Sequence, residues 1–538
     1  MTATPIAADA GARRATTGLA VRQIRLGALL LLAVAAGAPA MVAGTYERVT
    51  SDPAALAGLG ALAGNAAIRT IFGEPIALDE AGGFTVWRLG TVLGAILAVW
   101  AVVATTRVTR GEEDHGRWDV LLAGRLPLRQ VLFRHLMVIA SVPVVAGAAI
   151  MVVLLVFGGS DSAGAVVHGA GMALLGLFAA ALAALTAQIF SARTAATGTA
   201  IAILGAGLLA RMAADGVPAL GRLRWLSPFG LLEISSAYDR NRVSPLLVLA
   251  AATALLYVAV AVVCGRRDVG GGLLPAAAGR RPRLGLLDTV EAFAVRRLLG
   301  PLAAWSAGIG AYFLVIGLTS MSLTGFLSDN RVFADRAAQA GFVGLATVQG
   351  FVAALFALLA MPVGAFTAVR LGAFMAAESD RRLTLVAAQP LSRLRLLGAE
   401  TAATLAGAML LLAVAAVGAW AGVSIVGGDL TLTAALAGTF NALPIVLLCL
   451  GAALLAAGLR PSAVIHIGPV PATGGFLLKV IADSSGAPAW VSDLSPYRHT
   501  AAVPLVGADW PGVLVMGAVA VVLATAGTSA YLRRDLTG

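Results

Sequence analysis

Residues 136–158 read Leu136-Met-Val-Ile-Ala-Ser-Val-Pro-Val-Val-Ala-Gly-Ala-Ala-Ile-Met-Val-Val-Leu-Leu-Val-Phe-Gly158, with no charged side chain among them. A helix of about 20 mostly apolar residues, rising 1.5 Å per residue, crosses the roughly 30 Å hydrocarbon layer of a bilayer. This run is long enough, and it is one of many. The same rule places further spans near 26–44, 86–106, 165–190, 196–214 and 243–264. A second set lies near 299–319, 342–366, 401–422, 432–459, 463–481 and 510–531, making twelve in all. The weakest is 463–481, interrupted by Pro469, Pro471 and glycines. A broken or re-entrant helix there is tolerated only where its open backbone groups face protein or water. The first run follows Arg13, Arg14, Arg22 and Arg25 and reaches Ala38-Pro39-Ala40, a pattern shared with signal peptides. Its length and the spans behind it favour a retained first helix.

The composition agrees. Of 538 residues, 59% are apolar and 12% charged, where a soluble chain holds about 45–50% and about 25%. Mean hydropathy is +0.91. An ordinary soluble enzyme, a disordered chain and a secreted disulfide scaffold are excluded, since polar side chains must cover a soluble surface. The fold class is an all-α polytopic membrane protein of about twelve helices. Cys264 and Cys449 lie in or beside apolar runs, with no CxxC pair, and read as buried small hydrophobes. With the N-terminus in the cytoplasm, the inside segments hold 26 basic and 12 acidic residues, a net of +14, and the outside segments net −3. The positive-inside rule then puts both termini in the cytoplasm of a multi-pass plasma-membrane protein. Topology alone accounts for the +11 charge, so no nucleic-acid partner is needed.

The layout repeats. Arg-bearing amphipathic stretches at 13–25 and 284–297 precede the first span of each half, suited to short helices in the cytoplasmic interface. Each half has a long first external loop, at 45–85 and 320–341. Near its end each reads Leu-Ser-Pro-aromatic, at Leu226–Phe229 and Leu494–Tyr497, 268 residues apart. A duplicated six-span unit explains this economically, and an even number of spans makes the copies parallel. The expected domains are 1–270, a linker with the second interfacial helix at 271–298, and 299–538.

The densest polar segments follow the second span of each half, at 107–135 and 370–400. In the first, Glu112, Glu113, Asp114 and His115 precede Arg117-Trp118-Asp119, an apolar stretch, Pro127 and Arg129. In the second, Glu378, Asp380, Arg381 and Arg382 precede an apolar stretch, Pro390 and Arg393. Acids near a helix start and arginines near its end suit the helix dipole. Such a helix either docks a soluble partner or merely anchors the loop. Acids beside anionic lipid gain nothing, which argues against anchoring alone. Four adjacent residues cannot converge on one ion, so Glu112–His115 is not a metal site. A P-loop needs Gly-Lys-Ser/Thr, and the single lysine, Lys479, follows Leu478 in an apolar setting. The chain is expected to bind no cofactor. Polar groups in or beside spans include Gln188, Gln349 and Asn441, either hydrogen-bonded between helices or lining a path. Their scarcity suits an amphipathic or lipid-like cargo.

At the paired cytoplasmic segments the sequence resembles the integral-membrane half of a type-2 ATP-binding-cassette exporter. More narrowly, it resembles the fused twelve-span permeases of actinobacteria associated with antibiotic or polyketide export. The resemblance implies an elbow helix before each half and a coupling segment between its second and third spans. Glu112, Glu113, Arg117 and Asp119 would meet one copy of a cytosolic ATPase subunit, and Glu378, Asp380 and Arg382 a second copy. ATP and Mg would sit on that partner. Hydrophobic or amphipathic cargo and membrane lipid complete the expected partners. A proton-coupled carrier is the main alternative, but mid-span carboxylates are missing from the sequence. A lipid-linked transferase would need an acidic cluster at a span mouth, and only Glu74, Asp79 and Glu80 in the first external loop approach one.

Overall fold

The computed structural model describes residues 5–47, 65–124, 126–274, 285–329, 344–379, 383, 389–485 and 488–534. Every regular element among them is helical, and eleven helices are long and apolar enough to cross a membrane. The chain divides into two units, Met1–Arg281 and Pro282–Gly538.

In the first unit, α1 (Pro5–Gly44) leads to a short α2 (Ala66–Phe72) and then α3 (Ala81–Thr106). After α4 (Arg117–Leu122) come α5 (Leu128–Phe157), α6 (Ser162–Ile189) and α7 (Arg193–Gly216). A 3-10 turn at Pro218–Leu226, α8 (Pro228–Ile234) and α9 (Ser244–Cys264) complete it. The stretch at 136–158 lies within α5, which continues across Pro143. Residues Ala20, Ile24, Ala28, Leu31 and Ala35 of α1 are buried at helical spacing, while Leu26, Leu29 and Leu30 stay exposed. A helix apolar on every side is what lipid on one face and protein on the other require. The α1 helix packs on α3 and α5 as part of the bundle.

The α6 helix is the hub of this unit, packed by α3, α5, α7 and α9. Small side chains let it be. A Cβ added at Gly147 would strike the Gly169 carbonyl, and one at Gly169 would strike that of Gly147. Close packing of this kind substitutes for the hydrophobic drive that lipid removes.

The second unit runs α10 (Val290–Asp329), α11 (Val348–Leu358), α12 (Ala360–Ser379), α13 (Arg393–Ile425), α14 (Leu432–Phe440) and α15 (Leu443–Leu459). Then follow α16 (Val464–Ile467), α17 (Val470–Ser485), α18 (Ala489–Asp493), a 3-10 turn at Pro496–His499, and α19 (Trp510–Arg533). Pro362 cannot bond the Leu358 carbonyl, and α11 ends at Leu358; Pro444 cannot bond that of Phe440, and α14 ends there. The expected span at 463–481 is broken at Gly468-Pro469 into α16 and α17, neither of them among the eleven. Its counterpart α7 is unbroken.

One local expectation changes. Of the stretches at 13–25 and 284–297, the first lies inside α1 and residues 290–297 of the second open α10, so among the described residues neither forms a separate interfacial helix. Each is 40 residues, about 60 Å, twice the roughly 30 Å that a span needs. The repeated Leu-Ser-Pro motif is a helix start. Ser227 Oγ accepts from Gly230 N–H at 3.3 Å, and Ser495 Oγ accepts from Tyr497 N–H at 3.3 Å, each followed by proline at the first helical position.

Candidate functional site

The second span does not stop at Thr106. One π turn, Arg107–Gly111, carries the helix on to Glu112–Asp114. Gly116, with φ +69, reverses the chain in the left-handed conformation that only glycine adopts freely, and α4 begins. A π turn adds a residue to the circuit and often marks a functional position. Here Arg110 and Glu113 become fully buried while Asp114, Arg117 and Asp119 remain outside.

Arg110 fills a need that α6 creates. The last carbonyls of a helix lack internal partners and carry its negative dipole end. Arg110 donates through Nε and Nη2 to the Ala187 carbonyl at 3.1 and 2.8 Å, and through Nη2 to Gly271 O at 2.7 Å. Its Nη1 pairs with Glu113 Oε2 at 2.7 Å, and Glu113 Oε1 pairs with Arg267 Nη2 at 2.7 Å. Arg267 Nε donates to Gln188 Oε1 at 2.6 Å. Backbone bonds from Leu273 to Gln188 and from Leu274 to Ile189 lay residues 271–274 along the end of α6. The buried cluster thus joins the second span, the fourth span and the segment after the sixth.

The acids of this loop diverge. Glu112 accepts from exposed Arg117 at 3.0 Å. Asp114 Oδ2 accepts the Arg193 N–H at 3.0 Å, capping the start of α7. Trp118 is fully buried against the ring of His135, with centroids 5.6 Å apart. The α4 helix is therefore seated by one aromatic side chain and turns Arg117, Asp119 and Val120 to its free face, Val120 being 78% exposed.

In the second unit, Glu400 on α13 accepts from Arg297 Nη1 at 2.7 Å and Arg370 Nη2 at 3.1 Å, tying α10, α12 and α13. Glu378 accepts from Tyr531 Oη at 2.7 Å and pairs with Arg534. Asp380 and Arg382 lie outside the described residues. The sequence reading missed Arg110, Arg267, Arg297 and Arg370 as site residues. The one visible signal was the Arg110–Glu113 spacing of three on a helix.

Residues 287–532 match the family model described as the C-terminal domain of the multidrug efflux system permease Rv1217c. Over 501 residues the chain is 27% identical to the multidrug efflux system permease protein Rv1217c of Mycobacterium tuberculosis, covering 91% of this chain and 89% of that protein. Such coverage takes in most of both halves. The chain is a multi-pass membrane protein similar to this multidrug efflux permease.

The three amides of the permease expected beside its spans all have partners. Gln188 belongs to the Arg267 cluster; Gln349 Nε2 donates to Asp429 O at 2.9 Å, and Asn441 Nδ2 to Ala501 O at 2.8 Å. A second ionic cluster lies at the opposite end of the first unit. Arg211 pairs with Asp215 at 2.6 Å and Glu233 at 2.8 Å, while Arg224 pairs with Asp215 at 2.6 Å and Glu74 at 3.0 Å. Burial pushes the Glu233 carboxyl up, but the Arg211 charge and the Glu74 N–H outweigh it and hold the group below the usual range. This cluster borders a cavity of about 60 Å³ beside Trp87 and His168. Glu74 is a structural partner here, and Glu80 receives a hydrogen bond from Ser160.

Proposed function

We propose that the permease carries a hydrophobic or amphipathic compound outward, driven by two copies of a separate cytosolic ABC ATPase that hold the ATP and Mg. The observation that carries this reading is α4, a short helix seated by buried Trp118 with Arg117, Asp119 and Val120 on its free face. An apolar side chain between charges suits a protein partner better than solvent or a lipid surface. A subunit pressing on α4 would push on the second span, and the Arg110–Glu113–Arg267 cluster would pass that motion to the fourth span and the segment after the sixth. The cargo class follows from the scarcity of polar groups in the spans and agrees with the multidrug efflux role in the relative's name. In this reading Gln188, Gln349 and Asn441 fasten helices and loops, and the path is lined by apolar side chains.

In the second half the same role is proposed for 370–400 by correspondence, with Glu378 bracing the segment through Tyr531 and Arg534. The repeat boundaries proposed are 1–270 and 299–538, joined by 271–298. The test is co-purification of the permease with its ATPase, followed by ATPase assays across a panel of hydrophobic compounds. Asp119→Arg and Val120→Glu should leave insertion and melting unchanged and weaken association roughly tenfold or more, as loss of a contact of about 1.4 kcal/mol does. Undiminished association in both variants removes α4 from coupling. A wild-type chain that neither binds the ATPase nor stimulates it ends the exporter reading.

A further inference from the structure

A groove of about 560 Å³ opens between α1 and α3 of the first unit. Its walls include Gly27, Ile96, Val99 and Trp100, and it ends at Gln23 and Arg107. Ile96 and Arg107 are eleven residues apart on one helix, about 16 Å, or half of a hydrocarbon layer roughly 30 Å thick. The groove is therefore one leaflet long, apolar along its length and polar at one end. That end lacks partners. Gln23 Oε1 is buried with no hydrogen bond. Arg107, the one arginine in the groove lining, is exposed and makes no ion pair with any acidic residue among the described residues. Along the groove, Gly27 lets the Trp100 indole lie against α1, its nitrogen 3.0 Å from where a Cβ would stand.

We propose that this groove is a binding site for one anionic phospholipid, its acyl chain along Trp100 and its phosphate against Arg107. An unpaired cation at the mouth of an apolar slot matches a molecule with a negative head and a hydrocarbon tail. The Gln23 amide lies where the polar neck of such a lipid would pass. A neutral cargo molecule would leave Arg107 unanswered. Assignment to the cytoplasmic leaflet rests on the positive-inside orientation; the lipid chemistry does not.

The test uses the full-length permease purified in detergent micelles, titrated with phosphatidylglycerol or phosphatidylcholine carrying the same dibrominated chains. The signal is the fluorescence quenching present in the wild type and lost in Trp100→Phe. Quenching should saturate, with phosphatidylglycerol effective at roughly fivefold lower mole fraction, the preference expected of one arginine at a lipid surface. Arg107→Gln should abolish that preference. Arg107 is exposed, so its replacement leaves the packing intact and the test readable. Equal quenching by the two lipids in the wild type overturns the proposal, as does an unchanged preference in Arg107→Gln. Displacement of the brominated lipid by a macrolide at lower mole fraction than by unlabelled phosphatidylglycerol makes the groove a cargo site and also overturns it. Because micelles have no sidedness, a failed orientation would change the leaflet and leave these outcomes untouched.

Discussion

Glu112 and Glu113 are neighbours in sequence with different environments. Glu112, 12% exposed at its own side chain, pairs with an arginine that is 59% exposed, so water reaches one partner and screens the contact. Glu113 is 1% exposed and is shared between Arg110 and Arg267, both buried. Removing one member of a buried ionic group costs about 3–5 kcal/mol, because the remaining charges stay desolvated and unpaired. Glu113→Gln should therefore lower the thermal midpoint and the detergent-extracted yield, and Glu112→Gln, with one partly solvated partner, should lower both less. Circular-dichroism melts of the purified variants check this. Equal melting of both variants, with ATPase stimulation lost only in Glu113→Gln, would make Glu113 a docking group instead. The sequence could not separate the two acids. Both sit among arginines at the end of a span, where charge looks like topology, and the π turn at Arg107–Gly111 sets which one meets Arg110 and Arg267.

At the scale of elements, the spans were legible because lipid imposes a length and an apolarity that a run of residues either has or lacks. The break in 463–481 was legible for the same kind of reason, since Pro469 and Pro471 each remove a backbone donor. The elbows were not, because an amphipathic stretch reads alike whether it bends into the interface or continues a straight helix. Nor was the outer cluster, whose Glu74, Arg211, Arg224 and Glu233 come together only through the fold. Glu233 holds α8 to α7 and the first external loop, accepting from Arg211 and from the Glu74 N–H. Its folded carboxyl titrates below the ordinary value of 4.5. Its stabilising contribution is then complete above 4.5 and is lost as pH falls through the lower folded value. The difference in melting temperature between wild type and Glu233→Gln should shrink as pH falls below 4.5. A difference that does not shrink below 4.5 would mean the carboxyl is not held low.

For the whole molecule, the decisive quantity is which face of the membrane α4 occupies, since an ATPase can press only from the cytosol. The charge asymmetry, +14 against −3 over the segments assigned inside and outside, puts α4 inside and the turn at Asp239-Arg240 outside. The chain is well suited to a direct reading. Its two cysteines are both buried, Cys264 at 3% and Cys449 at 0% exposure, so the wild type should give little background with a thiol reagent. Asp119 is exposed on α4, and Asp239 is half exposed in a loop pair with Arg240 that contributes little to stability. Both accept a cysteine without disturbing the core. In intact cells a membrane-impermeant maleimide should label Asp239→Cys and spare Asp119→Cys, which should react only after permeabilisation. The reverse pattern would place α4 outside, beyond the reach of any cytosolic motor, and would move the lipid groove to the outer leaflet. Labelling of both sites in intact cells would mean a mixed orientation and would make every single-sided account of coupling untenable.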